Sequence, residues 1–174
     1  MGIQFETDYN METLTAMAKS LRKTVRKKRS RRVHIFAAVV LILGLLTILA
    51  TTAGGEPLGA SGVVTLLAML VVILVSLFED RLNAWFAKKR LLPGTEHAVA
   101  TFEEDGYVSA TSMSESKFSY AQIVAVAETA RYFVFALSSC HTQAYDKRTI
   151  RGGSVEDFRA FIAEKTGKPV EKIK

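Results

Sequence analysis

Cysteine is nearly absent from this sequence, and so are arrangements of residues that bind metals. Its 174 residues include a single cysteine, Cys140, and three histidines. A lone cysteine excludes an internal disulfide framework and is compatible with a reducing compartment. A metal ion needs several ligands at suitable spacing, which these residues do not supply. We therefore expect neither a metal nor any other cofactor.

Charged residues are missing from two long stretches in the middle of the chain. Val33–Ala53 and Leu58–Phe78 contain no Asp, Glu, Lys or Arg, and each is close to the length of about 20 residues that a helix needs to cross a bilayer. Neither alternates in polarity as barrel strands do, and a soluble core around two such helices needs a larger chain. We therefore predict two transmembrane helices, which offer no charged group for a proton relay or an ion pathway.

The residues that flank these helices predict their orientation. Gly54–Pro57 is a turn-forming cluster, so the helices are expected to be antiparallel neighbours. The small residues Gly59–Gly62 are candidates for close helix packing. Lys and Arg crowd before the first helix and follow the second, whereas the loop carries only the acidic Glu56. Because positive flanks are retained in the cytoplasm, we expect both termini to be cytoplasmic, with Trp85 and Phe86 as an interfacial anchor.

The segment ahead of the first helix combines an apolar stripe with a basic end. Apolar residues recur at helical spacing within Glu12–Arg32, which predicts an amphipathic helix. Aromatic residues are not interleaved with the basic ones, so nucleic acid is not expected as a partner. The basic residues are candidates for contact with lipid head groups or other anions, at about 1 kcal/mol each near an anionic surface; alternatively, they only set the topology. They are Arg26, Lys27, Lys28, Arg29, Arg31 and Arg32.

The last part of the chain alternates in polarity between turn residues, which is typical of antiparallel strands. Asp105-Gly106 between two alternating segments predicts a hairpin, and Ser154 with Asp157 predicts the capping box of a final helix. The alternating Ile3–Thr7 is expected to pair with this sheet, the alternative being a frayed terminus. The predicted strands are His97–Glu103, Tyr107–Met113, Lys117–Tyr120, Ile123–Ala127, Tyr132–Leu137 and His141–Asp146, with a turn at Ser114–Ser116.

These elements define a fold class and a set of boundaries. We predict an α+β membrane protein: a two-helix transmembrane hairpin joined to an antiparallel β domain that is pleckstrin-homology-like in its strand order and closed by a C-terminal helix. The predicted boundaries are 1–32 for an N-terminal strand and basic arm, 33–53 and 58–78 for the transmembrane helices, 54–57 for an external loop, 79–94 for a basic interfacial linker and 95–174 for the cytoplasmic domain.

Residues with catalytic potential are few. Cys140-His141 suggests a nucleophile and a base, but neighbours on a strand point to opposite faces and cannot readily share a proton. Glu103–Asp105 is typical of a solvated turn, and Arg151–Gly153 lacks the Lys-Ser/Thr of a phosphate-binding loop. We therefore expect no enzymatic activity.

Several short segments resemble a known family. They are Phe118–Ile123, Val126–Thr129, Tyr132–Leu137 and Glu156–Phe158, together with Phe5–Tyr9 ahead of the helix pair. In these segments the chain resembles the YcxB-like family of small bacterial membrane proteins. Members often carry an Ile-Pro-Lys-Arg-like segment where this chain has Ala144–Arg148. The resemblance implies a bacterial cytoplasmic (inner) membrane protein with a pleckstrin-homology-like cytoplasmic domain and no established biochemical activity.

The preferred functional hypothesis is a non-enzymatic, membrane-anchored interaction module whose sheet domain binds a protein partner or a lipid head group beside the bilayer. Lys147, Arg148 and Arg151, near the end of the last predicted strand, are further candidates for anion contact; the alternative is an ordinary solvated rim. A second hypothesis is a subunit of a homo-oligomeric transporter or channel that self-associates through its membrane helices. An enzyme with an unrecognised site is the third.

Overall fold

The computed structural model describes residues 2–55 and 59–173, and the chain divides into two compact units. The α+β unit holds the chain up to Lys27 and from Asn83 onward, and the helical unit is Lys28–Leu82. Glu56 and Pro57 of the predicted loop, and Leu58 at the start of the second apolar run, lie outside the described residues. The mixed α+β class, with two apolar helices and antiparallel sheets, is confirmed.

Two long apolar helices make up the helical unit. They are α2 (Lys27–Ala53) and α3 (Ala60–Leu77), both long and apolar enough to cross a membrane, and no residue of either is buried. The helix α2 begins six residues before the predicted start at Val33, because Lys and Arg are good helix formers and the basic run continues the helix. The helices approach closely at Gly44, where an added Cβ would lie 2.8 Å from Met69 Sδ.

Two four-stranded sheets form the frame of the α+β unit. The first has the order β1-β2-β3-β4 with antiparallel neighbours throughout. The second has the order β7-β6-β5-β8, in which only β8 is parallel to its neighbour. The strands are β1 (Ile3–Asp8), β2 (His97–Phe102), β3 (Tyr107–Thr111), β4 (Glu115–Phe118), β5 (Ala125–Glu128), β6 (Tyr132–Ala136), β7 (Thr142–Asp146) and β8 (Val170–Lys172).

The remaining helices are α1 (Met11–Lys23), α4 (Glu79–Arg90) and α5 (Val155–Thr166). In the sequence, α1 to α4 all lie between β1 and β2, and α5 follows β7. The strands β1 and β2 are nevertheless neighbours, paired from Ile3–Phe102 to Asp8–His97. The apolar helices are therefore inserted between two neighbouring strands of one sheet. The final helix α5 begins at the predicted capping box of Ser154 and Asp157.

An aromatic core lies between the sheets and α5. Phe5 is fully buried, and its ring centroid lies 4.6 Å from that of Phe158 and 5.8 Å from those of Phe102 and Tyr145. Phe133 adds a fourth ring at 6.4 Å. The pairs with Phe102, Phe133 and Phe158 are edge-to-face, an arrangement that contributes beyond the area it buries. Strand β1 is therefore an integral part of the core.

The helix α1 covers the other face of the second sheet. Its N-terminus is capped by Asn10, whose Oδ1 accepts from the backbone N–H of Glu12 and Thr13. Strand β6 is buried on both faces, with Phe133 in the aromatic core and Tyr132 packed in a smaller cluster that includes Met17 of α1. The apolar stripe predicted for the N-terminal arm therefore faces protein in α1.

Some of the predicted strand boundaries are wrong. The strand predicted at Lys117–Tyr120 is Glu115–Phe118, because its pairing with β3 begins at the predicted turn; Tyr120–Gln122 is instead a 3₁₀ turn. The predicted linker begins as the helix α4, since its residues are mostly good helix formers. Strand β8 is too short and too polar to have been predicted.

Candidate functional site

A cleft of about 580 Å³ opens in the α+β unit. Part of its wall comes from the strands of both sheets and part from α1, α4 and the segment after α4. Hydroxyl-bearing side chains dominate the strand and loop side: Thr95, Ser109, Thr111, Ser114, Ser116 and Thr142. Leu14 and Met17 of α1 and Leu91 just after α4 form an apolar part of the wall, and Arg90 at the end of α4 adds a cation. A volume of this size suits a small organic molecule.

The hydroxyls of the first sheet lie on the face that also forms the core. Side chains at every second position of a strand share a face. In β3 that face begins with Tyr107 in the core and continues with Ser109 and Thr111 in the cleft; in β4 the corresponding residues are Phe118 and Ser116. Tyr107 pairs with Phe118, and Ser109 with Ser116. The inner face thus changes from aromatic to hydroxyl along the strands, and the cleft lies at the hydroxyl end.

Gln143 of β7 provides a buried polar group at the cleft. Its residue surface is 7% exposed, and Oε1 accepts hydrogen bonds of 2.7 Å from the hydroxyls of both Tyr107 and Tyr145. Burial raises the pKa of both phenols well above the ordinary value, so they stay protonated and act as donors. Within the described part of the chain, Nε2 of Gln143 has no hydrogen-bond partner.

Cys140, His141 and Arg90 lie at the edge of the cleft. The Cys140 thiol is free and exposed, and hydrogen bonds from the hydroxyls of Ser138 and Ser139 lower its pKa. Cys140 and His141 belong to the connection between β6 and β7, so the expectation that they are neighbours on a strand is wrong: β7 begins only at Thr142. Among the described residues, no cluster of His, Cys, Asp and Glu is suited to hold a metal ion.

The basic residues singled out in the sequence lie in two parts of the chain, just after β7 and around the start of α2. Lys147 donates to Glu128 at 2.9 Å, and its side chain is only 13% exposed, so an external anion would compete with that carboxylate. Arg148 and Arg151 are exposed and pair with Asp146 and Glu6. Arg26 donates from Nε to the carbonyl of Ser139 at 2.5 Å. Those that are exposed at the start of α2 are Lys27, Lys28, Arg29, Arg31 and Arg32. Lipid or anion contact stays a prediction for all of them.

Glu128 is the centre of a buried ion cluster on the second sheet. Its side chain is 7% exposed and accepts from Lys147 at 2.9 Å and from Arg159 of α5 at 2.7 and 2.8 Å. The hydrogen bond from Arg159 is the largest cause that lowers the pKa of Glu128, to about 2; burial opposes it and Lys147 reinforces it. The cluster therefore fastens α5 and the end of β7 to β5.

This pKa predicts a pH dependence of stability. The carboxyl has an ordinary value of 4.5 when exposed and about 2 when folded, so its contribution is complete above the unfolded pKa and is lost as the pH falls toward the folded one. We expect the free energy of unfolding to decrease as the pH is lowered from about 4.5 to about 2. Urea unfolding of the detergent-solubilised chain across this pH range measures the slope, and Glu128→Gln should remove part of it. An identical slope in both proteins would contradict the expectation.

Comparison with known protein families matches one part of the α+β unit. The family model described as "YcxB-like protein" matches residues 102–162. This match confirms the resemblance in the segments from Phe118 to Phe158, whereas Phe5–Tyr9 lies outside the matched residues. It covers β3 to β7 and most of α5. No curated protein and no solved structure gives a significant match to the chain.

Proposed function

Taking residues 102–162 as a YcxB-like domain, we propose that this protein is a membrane-anchored, non-enzymatic binding module of the bacterial cytoplasmic membrane. The hairpin of α2 and α3 spans the bilayer, and the α+β unit lies in the cytoplasm with both termini. Its ligand is a lipid head group or a protein beside the membrane.

The observation that carries the proposal is that two long apolar helices bury none of their residues in protein. No residue of α2 or α3 is buried, and their exposed side chains include Phe36, Leu46 and Leu67 at more than half of their full surface. Water is a poor solvent for so much contiguous apolar surface, whereas lipid is a good one. The helices also satisfy their own backbone hydrogen bonds, as lipid requires.

The flanking residues support the orientation. Basic residues occupy the start of α2 and the end of α4, where Lys88, Lys89 and Arg90 form the last turn. Trp85 and Phe86 of α4 are 44% and 52% exposed, and Lys89 Nζ lies 3.7 Å from the Trp85 ring centroid. Exposed aromatic rings beside cations are typical of the membrane–water interface. Retention of basic flanks inside then gives cytoplasmic termini.

The architecture of the α+β unit supports a pleckstrin-homology-like fold. Four antiparallel strands form one sheet, the next three form an antiparallel set in the second sheet, and α5 follows them and packs into the core through Phe158 and Ile162. In this arrangement the hairpin is an insertion into the connection between β1 and β2. Such small β domains commonly recognise ligands at the end where strands and connections leave an opening.

The single native cysteine provides a direct test of the topology. Cys140 is exposed, so a membrane-impermeant maleimide should leave it unlabelled in intact spheroplasts and label it after permeabilisation. The matched variant is Cys140→Ser with Gly54→Cys at the opposite end of the hairpin, where an added Cβ meets only backbone oxygens at ordinary contact distances of 3.5 and 3.6 Å. This variant should be labelled in intact spheroplasts. Labelling of Cys140 without permeabilisation, or recovery of the chain in the soluble fraction, would contradict the proposal.

The homo-oligomeric transporter or channel remains the second proposal. Gly59, the N-cap of α3, and the first two residues of that helix are exposed, and a Cβ added at Gly59 would meet nothing within 4 Å. This surface is open to a second copy of the chain. Crosslinking in native membranes distinguishes the two proposals, because a pore built from hairpins requires a defined oligomer and an anchor does not.

A further inference from the structure

We propose that the cleft of the α+β unit binds a polyol phosphate: a phosphate group joined to a small hydroxyl-bearing body. Two sources share this chemistry, a phospholipid head group of the glycerol type and a free glycerol phosphate. The proposal deepens the binding role proposed above by naming the ligand class and its site.

The first support is the polar lining on an inner sheet face. Ser109, Thr111 and Ser116 follow core aromatic residues on the same face of β3 and β4 and reach the cleft. A sheet face that packs on protein is normally apolar, so hydroxyls at these positions contribute little to a core. Each hydroxyl offers a donor and acceptor lone pairs. A ligand with several hydroxyl and phosphate oxygens matches this lining.

The second support is the amide of Gln143. The residue is 93% buried and lines the cleft, and both tyrosine hydroxyls bind its Oε1 at 2.7 Å. These bonds fix the orientation of the amide and leave Nε2 without a partner among the described residues. Nε2 is not among the fully buried atoms that lack a partner, so it is accessible and free to donate to a molecule in the cleft. A phosphate or hydroxyl oxygen of the ligand is a suitable acceptor.

The third support is the sign of the charge. Among the described residues, the lining of the cleft includes no Asp or Glu, whereas it does include Arg90 and His141. Arg90 is exposed and has no acidic partner in the part of the chain that the structure describes. A guanidinium group binds phosphate through a planar fork of donors. The cleft is therefore suited to an anion, and the apolar Leu14, Met17 and Leu91 provide a wall for the carbon atoms of its body.

Protection of Cys140 reports occupancy of the cleft in the intact chain. Cys140 lines the cleft and is exposed, so a bound ligand should slow its alkylation by a maleimide. The rate of Cys140 alkylation is measured on the whole chain in a non-ionic detergent, alone and with each of four probes: glycerol phosphate, glycerol, short-chain phosphatidylglycerol and short-chain phosphatidylcholine. We expect the anionic polyol probes to slow alkylation in a saturable manner and the other two to leave it unchanged.

Variants of α4 test the role of charge. Arg90→Gln should raise the concentration of the anionic probes that gives half-maximal protection by roughly tenfold or more, because hydrogen bonds between charged groups are the strong ones. The matched control is Lys89→Gln, which removes a neighbouring cation that does not line the cleft. Ser109→Ala and Ser116→Ala remove lining hydroxyls with almost no change in volume and should each weaken protection several-fold.

The outcomes separate the ligand source and the two proposals. Protection by both anionic probes supports the proposal with the head group sufficient; protection by phosphatidylglycerol alone supports it with a lipid source. Protection by neither anion, equal protection by phosphatidylcholine or glycerol, or equal effects of Arg90→Gln and Lys89→Gln would overturn it. Labelling of spheroplasts uses no ligand. If the labelling gives the proposed topology but no probe protects Cys140, only the proposed ligand is contradicted. If the probes protect Cys140 but the chain is recovered in the soluble fraction, only the proposed membrane anchor is contradicted.

Discussion

Replacing Glu128 by glutamine is expected to lower the free energy of unfolding of the α+β unit by roughly 3–5 kcal/mol, the usual cost when one member of a buried ion cluster is removed. The carboxylate is 7% exposed and has two cationic partners, Lys147 and Arg159. The side chains of Lys147 and Arg159 are only 13% and 30% exposed, so loss of the carboxylate charge leaves two neighbouring cations with little water to solvate them. Glutamine keeps the shape and the acceptor oxygen, and the effect therefore reports the charge.

The exposed neighbour on α5 provides the control for this prediction. Glu156 is 75% exposed at its side chain and lies 3.6 Å from the same Arg159. Exposed pairs contribute about 0–1 kcal/mol, so Glu156→Gln should have little effect. Near-ultraviolet circular dichroism follows the unfolding, because buried tyrosines such as Tyr107 and Tyr132 report the core. Equal effects of Glu128→Gln and Glu156→Gln would show that the ion cluster does not stabilise the unit.

Truncation of Phe5 to alanine is expected to destabilise the α+β unit by about 3–5 kcal/mol. The side chain is fully buried and contacts the rings of Phe102, Phe133, Tyr145 and Phe158, which come from both sheets and α5. Alanine leaves a cavity at their junction, and these rings are too constrained to fill it. The expected readout is loss of the cooperative tyrosine signal at lower urea concentration.

A surface residue of comparable size is the control for Phe5. Met113 lies in the turn between β3 and β4 and is 69% exposed, so Met113→Ala should change stability by about 0.5 kcal/mol or less. If Phe5→Ala were as mild as Met113→Ala, the N-terminal strand would contribute little to the core. Phe5→Leu should lie between the two, since leucine refills part of the cavity.

The elements with strong local signals were predictable from the sequence. Uninterrupted apolar runs predict helices because their length and uniform polarity leave few alternatives, and α2 and α3 lie within or around them. Asp105-Gly106 predicts the hairpin between β2 and β3, and Ser154 with Asp157 predicts the start of α5. In each case, neighbouring residues alone determine the local backbone.

Elements determined by distant contacts were predicted less well. The alternation in Ile3–Thr7 suggests a strand, but its position beside β2 depends on Phe5 entering an aromatic core built from residues far along the chain. Strand β8 has only three residues, Val170–Lys172, and exists through pairing with β5. The start of β4 at Glu115 follows from its register with β3. Local propensity is a weak guide in such cases.

The cleft could not be predicted from the sequence. Its hydroxyls come from segments that are separated in the chain, and serine and threonine are common in turns. A signal was present in β3, where Tyr107 is followed at every second position by Ser109 and Thr111. This polar continuation of an apolar face makes sense only once the opposite sheet is known. The basic residues drew attention because charge is conspicuous, whereas Gln143 is informative only through its burial.

The insertion of the helices between β1 and β2 also sets an order of events during synthesis. Asp8 and His97 pair across 89 residues, so the ribosome releases the first strand long before its partner. Closing so long a loop is entropically slow, and α2 and α3 emerge in the meantime. A nascent chain interrupted before β2 carries exposed apolar helices and an orphan strand, but no finished β domain. Pairing of β1 with β2 therefore waits until both apolar helices have been synthesised, and products truncated before β2 lack the first sheet.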